Sequence, residues 1–255
     1  MLAWLNLILF EQERGYLMLD VRNKNFIVTG ATSGIGRLLT KRLIEQGANV
    51  AFCGRSESKL NELVSEITPC DSQTFSQAFD ATNFELVDHF VAKASEKLGG
   101  IDVLVNCAGA NTSRSAIADL SVDDLMGLVQ LNMMSPFVFM KEVYNVSMKP
   151  RGQGIVINVL STVCGFSNEG IGAYTASKAG IDALTKVFRK EAREHGVKVC
   201  AIYPGGVDTP FRAAERPEYL DPEQVVDAIL FMASQNGISS VDELVIRPIV
   251  EKNYC

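Results

Sequence analysis

Tyr174 and Lys178 stand four residues apart in Tyr174-Thr175-Ala176-Ser177-Lys178, with Ser161 thirteen residues upstream of the tyrosine. Four residues is close to one helical turn, so the phenol and the ammonium project from one helix face. A free phenol is a poor acid, with a pKa of about 10. A neighbouring cation favours the phenolate and lowers that value, which makes the tyrosine a usable proton donor or acceptor. Ser161 closes a predicted strand over residues 154–160 and is placed to hydrogen-bond a substrate oxygen. Tyr-x-x-x-Lys alone also decorates ordinary surface helices, so the elements around it must decide.

A short apolar strand, Asn25-Phe-Ile-Val-Thr29, runs into Gly30-Ala31-Thr32-Ser33-Gly34-Ile35-Gly36 and then into an amphipathic helix from about Arg37 to Gln46. Glycines between a strand and a helix let backbone approach a pyrophosphate, and the helix start supplies amide donors and the positive dipole end. The spacing is Gly-x-x-x-Gly-x-Gly rather than Gly-x-Gly-x-x-Gly. A turn that binds nothing is the competing reading.

In these motifs the chain resembles the short-chain dehydrogenase/reductase family in its single-domain form of roughly 250 residues. The resemblance runs from about Asp20 to the end. It rests on Thr29-Gly30-x-x-x-Gly34-x-Gly36, Asn106-Cys107-Ala108-Gly109, Asn132, Ser161, Tyr174-x-x-x-Lys178 and Pro204-Gly205, in the family's order and spacing. It implies that a nicotinamide supplies hydride, that Tyr174 supplies the proton and that Ser161 orients the substrate oxygen. Lys178 would bond the nicotinamide ribose and lower the tyrosine pKa, and Asn132 would hold a water in a proton relay to Lys178. An ordinary helix residue bonding locally is the alternative for Asn132.

The implied cofactor contacts are Gly30, Ser33, Gly34, Ile35, Gly36 and Arg37 at the glycine-rich turn, and Asp80 at the adenine edge. Asn106, Ala108 and Gly109 would lie beside the adenosine ribose, Tyr174 and Lys178 at the nicotinamide ribose, and Pro204, Val207 and Thr209 around the carboxamide. Asp80 would alternatively cap a helix. The cofactor is expected to be NADP(H). NAD sites carry an acid at the end of the second strand, which bonds the ribose 2′-hydroxyl and repels a 2′-phosphate. Here that strand ends Phe52-Cys53-Gly54-Arg55: glycine stands where the acid would be and Arg55 follows. Arg37 would add a second positive charge.

The expected fold is α/β, a single doubly wound Rossmann-type domain whose parallel sheet of about seven strands carries helices on both faces. Predicted strands cover residues 25–29, 49–53, 74–79, 102–106, 154–160, 197–203 and 243–247. Predicted helices cover 37–46, 57–67, 85–98, 173–194 and 222–234, and a long one covers 122–147 with Pro136 as a kink or a break. Gly30, Asp80, Asn106, Ser161 and Pro204 all fall just past strand ends, where such sheets bind ligands. The domain is expected over residues 18–255, with residues 1–17 as an extension.

Hydrophobic residues make up 47% of the 255, which places the chain among packed globular proteins. A net charge of −6 argues against a nucleic-acid surface. His89 and His195 have no metal-ligand partner in the sequence, so no metal site is expected and both read as surface residues. The six cysteines show no paired spacing, which fits a reducing cytoplasm. Cys164 either lines the pocket as an oxidant-sensitive thiol or is inert. Met1–Phe10 is apolar at every position but Asn6, yet too short to span a membrane at about 20 residues. Met18 lies where chains of the resembled family begin. The stretch before it reads as an extension, disordered or packed on a neighbour; a peripheral anchor is the alternative, and membrane contact is not the expected use.

The implied function is NADPH-dependent reduction of a carbonyl. The alternatives are an alcohol dehydrogenase running in the oxidative direction and a non-catalytic NADP-binding regulator. The short lid after Thr209 carries Arg212 and Arg216, either facing an acidic substrate or solvated. Relatives associate through the helix from Ala173 and the long helix before it, so a homodimer or homotetramer is expected; in a monomer one flank would leave Met133, Met134, Phe137 and Phe139 poorly covered, although some of them must face the sheet.

Overall fold

Every strand of the sheet pairs in parallel, in the order β3-β2-β1-β4-β5-β6-β7. The strands are β1 (Asn25–Thr29), β2 (Asn49–Gly54), β3 (Thr74–Ala78), β4 (Val103–Asn106), β5 (Gly154–Val159), β6 (Val197–Pro204) and β7 (Glu243–Ile246). The computed structural model describes residues 21–67, 72–211, 216–235 and 237–252. The expected extension over 1–17, Cys70, Arg212 and Cys255 lie outside the described residues. The fold is the expected single doubly wound α/β domain.

The core lies on both faces of the sheet. In β1, Phe26 and Val28 join one apolar cluster with Leu39 and Leu43, while Ile27 joins the opposite cluster with Leu104 and Phe139. A parallel sheet covered on both faces requires such continuous apolar strands. Each large side chain buried there contributes about 1.5–3 kcal/mol. The covering helices are α1 (Gly34–Glu45), α2 (Glu57–Glu66), α3 (Phe84–Leu98), α7 (Gly172–Ala192) and α8 (Pro222–Ala233), with the helical run that precedes β5 numbered α4 to α6.

That run differs from the expected single helix over 122–147. It is continuous from Val122 to Arg151, with α4 (Val122–Val129), α5 (Ser135–Val143) and α6 (Lys149–Arg151) joined by π-turns at Gln130–Met134 and Tyr144–Met148. The prolines explain both turns. A proline lacks the amide donor, and its ring collides with the carbonyl four residues back. Each widened turn ends just before a proline: Ser135 N–H bonds Gln130 O ahead of Pro136, and Lys149 N–H bonds Tyr144 O ahead of Pro150. Pro136 therefore neither breaks nor ends the helix, and Asn132 sits inside the first π-turn.

Two further expectations are corrected. Asn83, not Asp80, caps α3, its side chain accepting from Leu86 N. Phe139 is fully buried within one chain and packs edge-on to Phe90, and Met133 and Phe137 pack against the same cluster. The apolar side chains left exposed on these helices are instead Val122, Met126, Val146 and Val187.

Candidate active site

The sheet order reverses between β1 and β4, the place where open α/β sheets bind ligands. Gly30, just past β1, has φ +72°, and a Cβ there would lie 2.9 Å from Ala108 N and Cα. A Cβ on Gly36 would lie 2.5 Å from Gly30 O. The turn is thus drawn tightly against β4 and onto the start of α1, and only glycine permits both approaches. Thr29, buried at the end of β1, accepts from Cys107 N at 3.1 Å and Ala108 N at 3.0 Å, which fixes the strand-end loop carrying Ala108 and Gly109. The motif spacing assigns Thr29 no role of its own; this one is visible only in the folded chain.

Across the reversal point, α7 carries Tyr174 and Lys178 against the end of β5. Lys178 is buried, and its Nζ donates to Val159 O at 2.8 Å. Burial pushes its pKa down to about 8, because desolvation penalises the ammonium. Tyr174 is largely buried in a cluster with Ile171, Ala173 and Leu128, against which Val163 also packs. The Phe211 ring stands 6.1 Å from the Tyr174 ring and is half exposed. Ser161 follows β5 in extended backbone, its Oγ accepting from Val163 N at 3.3 Å.

Asn132 is buried, and its amide is committed. Oδ1 accepts from Ala110 N at 2.9 Å, and Nδ2 donates to Ala110 O at 2.8 Å and to Ser177 Oγ at 3.1 Å. A Cβ on Gly109 would meet Asn132 Oδ1 at 3.0 Å and Lys178 Nζ at 3.5 Å, so these groups crowd together. The side chain therefore locks the loop after β4 onto α7. Pro136, four residues on, has no N–H to give the Asn132 carbonyl.

The predicted cofactor positions divide. Gly30, Gly34 and Gly36 form the turn, with Ser33 exposed at the start of α1 and Ile35 packed on the core. A Cβ on Gly34 would lie 3.5 Å from Thr209 Cβ, so the loop after β6 folds back to the turn. Val207 buries its side chain and bridges Leu220 through Gly206 O and Asp208 N, which points its own peptide groups the other way. Pro204 ends β6, and Gly206 N donates to Glu251 Oε1 at 2.7 Å, so the tail after β7 holds this loop.

Two positions differ from expectation. Asn106 turns its side chain inward, donating to Asn158 Oδ1 at 2.8 Å and Pro136 O at 3.3 Å, so it braces the sheet instead of facing the cleft. Arg37 is paired with Glu66 at 2.8 Å and is not a free positive charge. Arg216 pairs with Glu218 at 3.6 Å and is likewise engaged. Arg55 is exposed and makes no ion pair among the described residues. Burial opposes the Asp80 charge, but hydrogen bonds from Thr82 N and Oγ and the nearby Arg55 outweigh it, holding the carboxyl below its usual range. Burial raises the Cys107 thiol to about 12 and the Cys164 thiol to about 11, which makes both poor nucleophiles at neutral pH.

Comparison with known proteins agrees with this architecture. Residues 24–220 match the short chain dehydrogenase family, and the chain belongs to it. An uncharacterized oxidoreductase of Staphylococcus aureus (strain MW2) is 32% identical over 236 residues, covering 91% of this chain and all of the relative. An alcohol dehydrogenase from the archaeon Thermococcus sibiricus, solved with 5-hydroxy-NADP, superposes with a TM-score of 0.80 at 25% identity, over 90% of this chain and 98% of that one. A metagenomic short-chain oxidoreductase in complex with NADP gives 0.79 at 27% identity, over 90% and 99%. The protein is an oxidoreductase of this family.

Proposed function

We propose that the protein reduces a carbonyl to an alcohol with NADPH, in a reversible hydride transfer with Tyr174 as general acid and base. The observation that carries this reading is the buried Lys178, pinned to the β5 end two residues before Ser161 and one helical turn from Tyr174. A regulator that only binds a dinucleotide has no need to bury an ammonium beside a tyrosine.

The residues fit a dinucleotide. The glycine cradle at β1 would be filled by any Cβ, and the start of α1 offers unpaired amides to a pyrophosphate. When bound, the nicotinamide supplies the hydride. Ser161 holds the substrate oxygen, and Tyr174 donates the proton to it as charge builds there. Lys178 lowers the tyrosine pKa and holds the nicotinamide ribose, and the Asn132 carbonyl holds the water that returns a proton to Lys178. Ala108 and Gly109 border the adenosine ribose, Asp80 the adenine edge, and the Val207 peptide and Thr209 the carboxamide. Arg55 alone meets the 2′-phosphate, since Arg37 is paired with Glu66.

The substrate is a small carbonyl compound or its alcohol, met beside Phe211. Two relatives solved with NADP-type ligands support the cofactor choice. The exposed Met126 and Val187 support association as a homodimer or homotetramer, and the free Cys53, Cys107, Cys164 and Cys200 among the described residues a cytoplasmic setting; no described helix is long and apolar enough to cross a membrane. The test is NADPH oxidation against a panel of ketones, quinones and acyl thioesters, with Tyr174→Phe as control. Turnover by the parent and a loss of about 100-fold or more in the variant is the expected result; turnover unchanged in the variant overturns the mechanism.

A further inference from the structure

Gly54 ends β2 with an ordinary φ, so its backbone would accept any residue. Its surroundings would not. A Cβ built there lies 2.5 Å from Thr32 Cγ2, 3.0 Å from Thr32 Oγ1 and 3.3 Å from Thr32 Cβ. Non-bonded carbons settle at about 3.5–4.0 Å.

Rotation of Thr32 relieves the clash only in part. A threonine places two heavy atoms among three staggered positions on Cβ. Even with a hydrogen turned toward Gly54, one heavy atom keeps the 3.0 Å position. Nor can the backbones part easily. Ala31 N–H bonds Cys53 O at 2.9 Å and clamps the glycine-rich turn to β2, while Phe79 N–H bonds Gly54 O at 3.0 Å and fixes Gly54 from the far side.

We propose that Thr32 fixes what position 54 can hold: its branched side chain bars the acidic side chain that selects a ribose 2′-hydroxyl. Gly54 and Arg55 set the preference for a 2′-phosphate, and Thr32 blocks the single substitution at 54 that would reverse it. This rests on the NADPH reading of the site. Removing the branch takes away the two nearest of these atoms, since an alanine at 32 keeps only its Cβ of the three, at 3.3 Å. A valine keeps the threonine's shape and drops its hydroxyl, which separates crowding from hydrogen bonding.

The experiment measures NADPH and NADH affinity by fluorescence titration, and melting temperature without cofactor. The proteins are the parent, Gly54→Asp, Thr32→Ala, and the double variants Gly54→Asp/Thr32→Ala and Gly54→Asp/Thr32→Val. Thr32→Ala is expected to melt near the parent and still prefer NADPH. Gly54→Asp alone melts lower and binds both dinucleotides poorly. Adding Thr32→Ala restores the melting temperature and shifts the NADH to NADPH affinity ratio at least tenfold toward NADH, while adding Thr32→Val restores neither. Gly54→Asp alone matching the alanine double variant in melting and NADH affinity overturns the proposal, as does equal rescue by valine. A parent that prefers NADH refutes the cofactor reading and the specificity role with it. The melting cycle still reads the Thr32–Gly54 contact independently of any dinucleotide.

Discussion

Lys178 Nζ donates a 2.8 Å hydrogen bond to the main-chain carbonyl of Val159, tying the helix that carries Tyr174 to the strand end that carries Ser161. Burial strips the ammonium of its hydration, which pushes the lysine pKa down to about 8. In the proposed mechanism the same cost brings the lysine into the range where it exchanges protons.

Tyr174→Phe keeps the ring, and with it the packing on Ile171 and Phe211, but removes the transferable proton. Turnover is expected to fall about 100- to 10,000-fold with dinucleotide binding retained. Single-turnover kinetics with a responsive ketone check this, and near-parental rates in the variant reject the assignment.

Lys178→Met should change how stability depends on pH. The lysine titrates at about 8 folded and 10.5 unfolded, so between those values the unfolded chain binds more protons and stability rises with pH. Below about 8 both states are protonated and the full desolvation cost applies. The stability of the parent relative to the variant is therefore expected to increase between pH 8 and 10.5. Urea unfolding of both proteins at pH 7.5 and pH 10 measures it; a difference independent of pH contradicts the lowered value.

Asn132→Ala removes the amide that joins Ala110 to Ser177 and takes the partner from the half-buried Ala110 N–H and C=O, while Ser177 keeps its bond to Tyr174 O. A loss of about 1–3 kcal/mol is expected per buried group left without a partner. Activity should fall beyond what the lost fold explains, because the loop beside Lys178 is released. Comparing kcat at a temperature where the variant is fully folded separates the two effects.

Glu251→Ala takes the acceptor from Gly206 N and frees the loop after β6. Its KM for NADPH is expected to rise several-fold, and Glu251→Gln, which retains an acceptor, should recover most of the loss. Equal effects of the two substitutions would point to the charge instead of the hydrogen bond.

Arg55→Ala should weaken NADPH far more than NADH, because a guanidinium–phosphate bond is charge-assisted and roughly twice as strong as a neutral one. Arg37→Ala should matter less, since its partner Glu66 already neutralises it. Titration of each variant with both dinucleotides distinguishes them, and equal losses for the two cofactors exclude Arg55 from the 2′-phosphate.

The order of strands and helices along the chain, and the strand ends at which Gly30, Ser161 and Pro204 lie, are legible in the amino acids alone. Those follow from apolar periodicity and glycine placement, which act over a few residues. Tertiary structure alone decided where long side chains spend their hydrogen bonds and charges. Arg37 met Glu66 from another helix, Asn106 turned inward to Asn158, and Asn132 gave its amide to Ala110. The π-turns before Pro136 and Pro150 also needed the packed helix: a proline signals a lost bond, but only the surrounding contacts choose between breaking a helix and widening one turn. The Thr32–Gly54 contact is of the same kind, set by two chain segments that meet only once the sheet has formed.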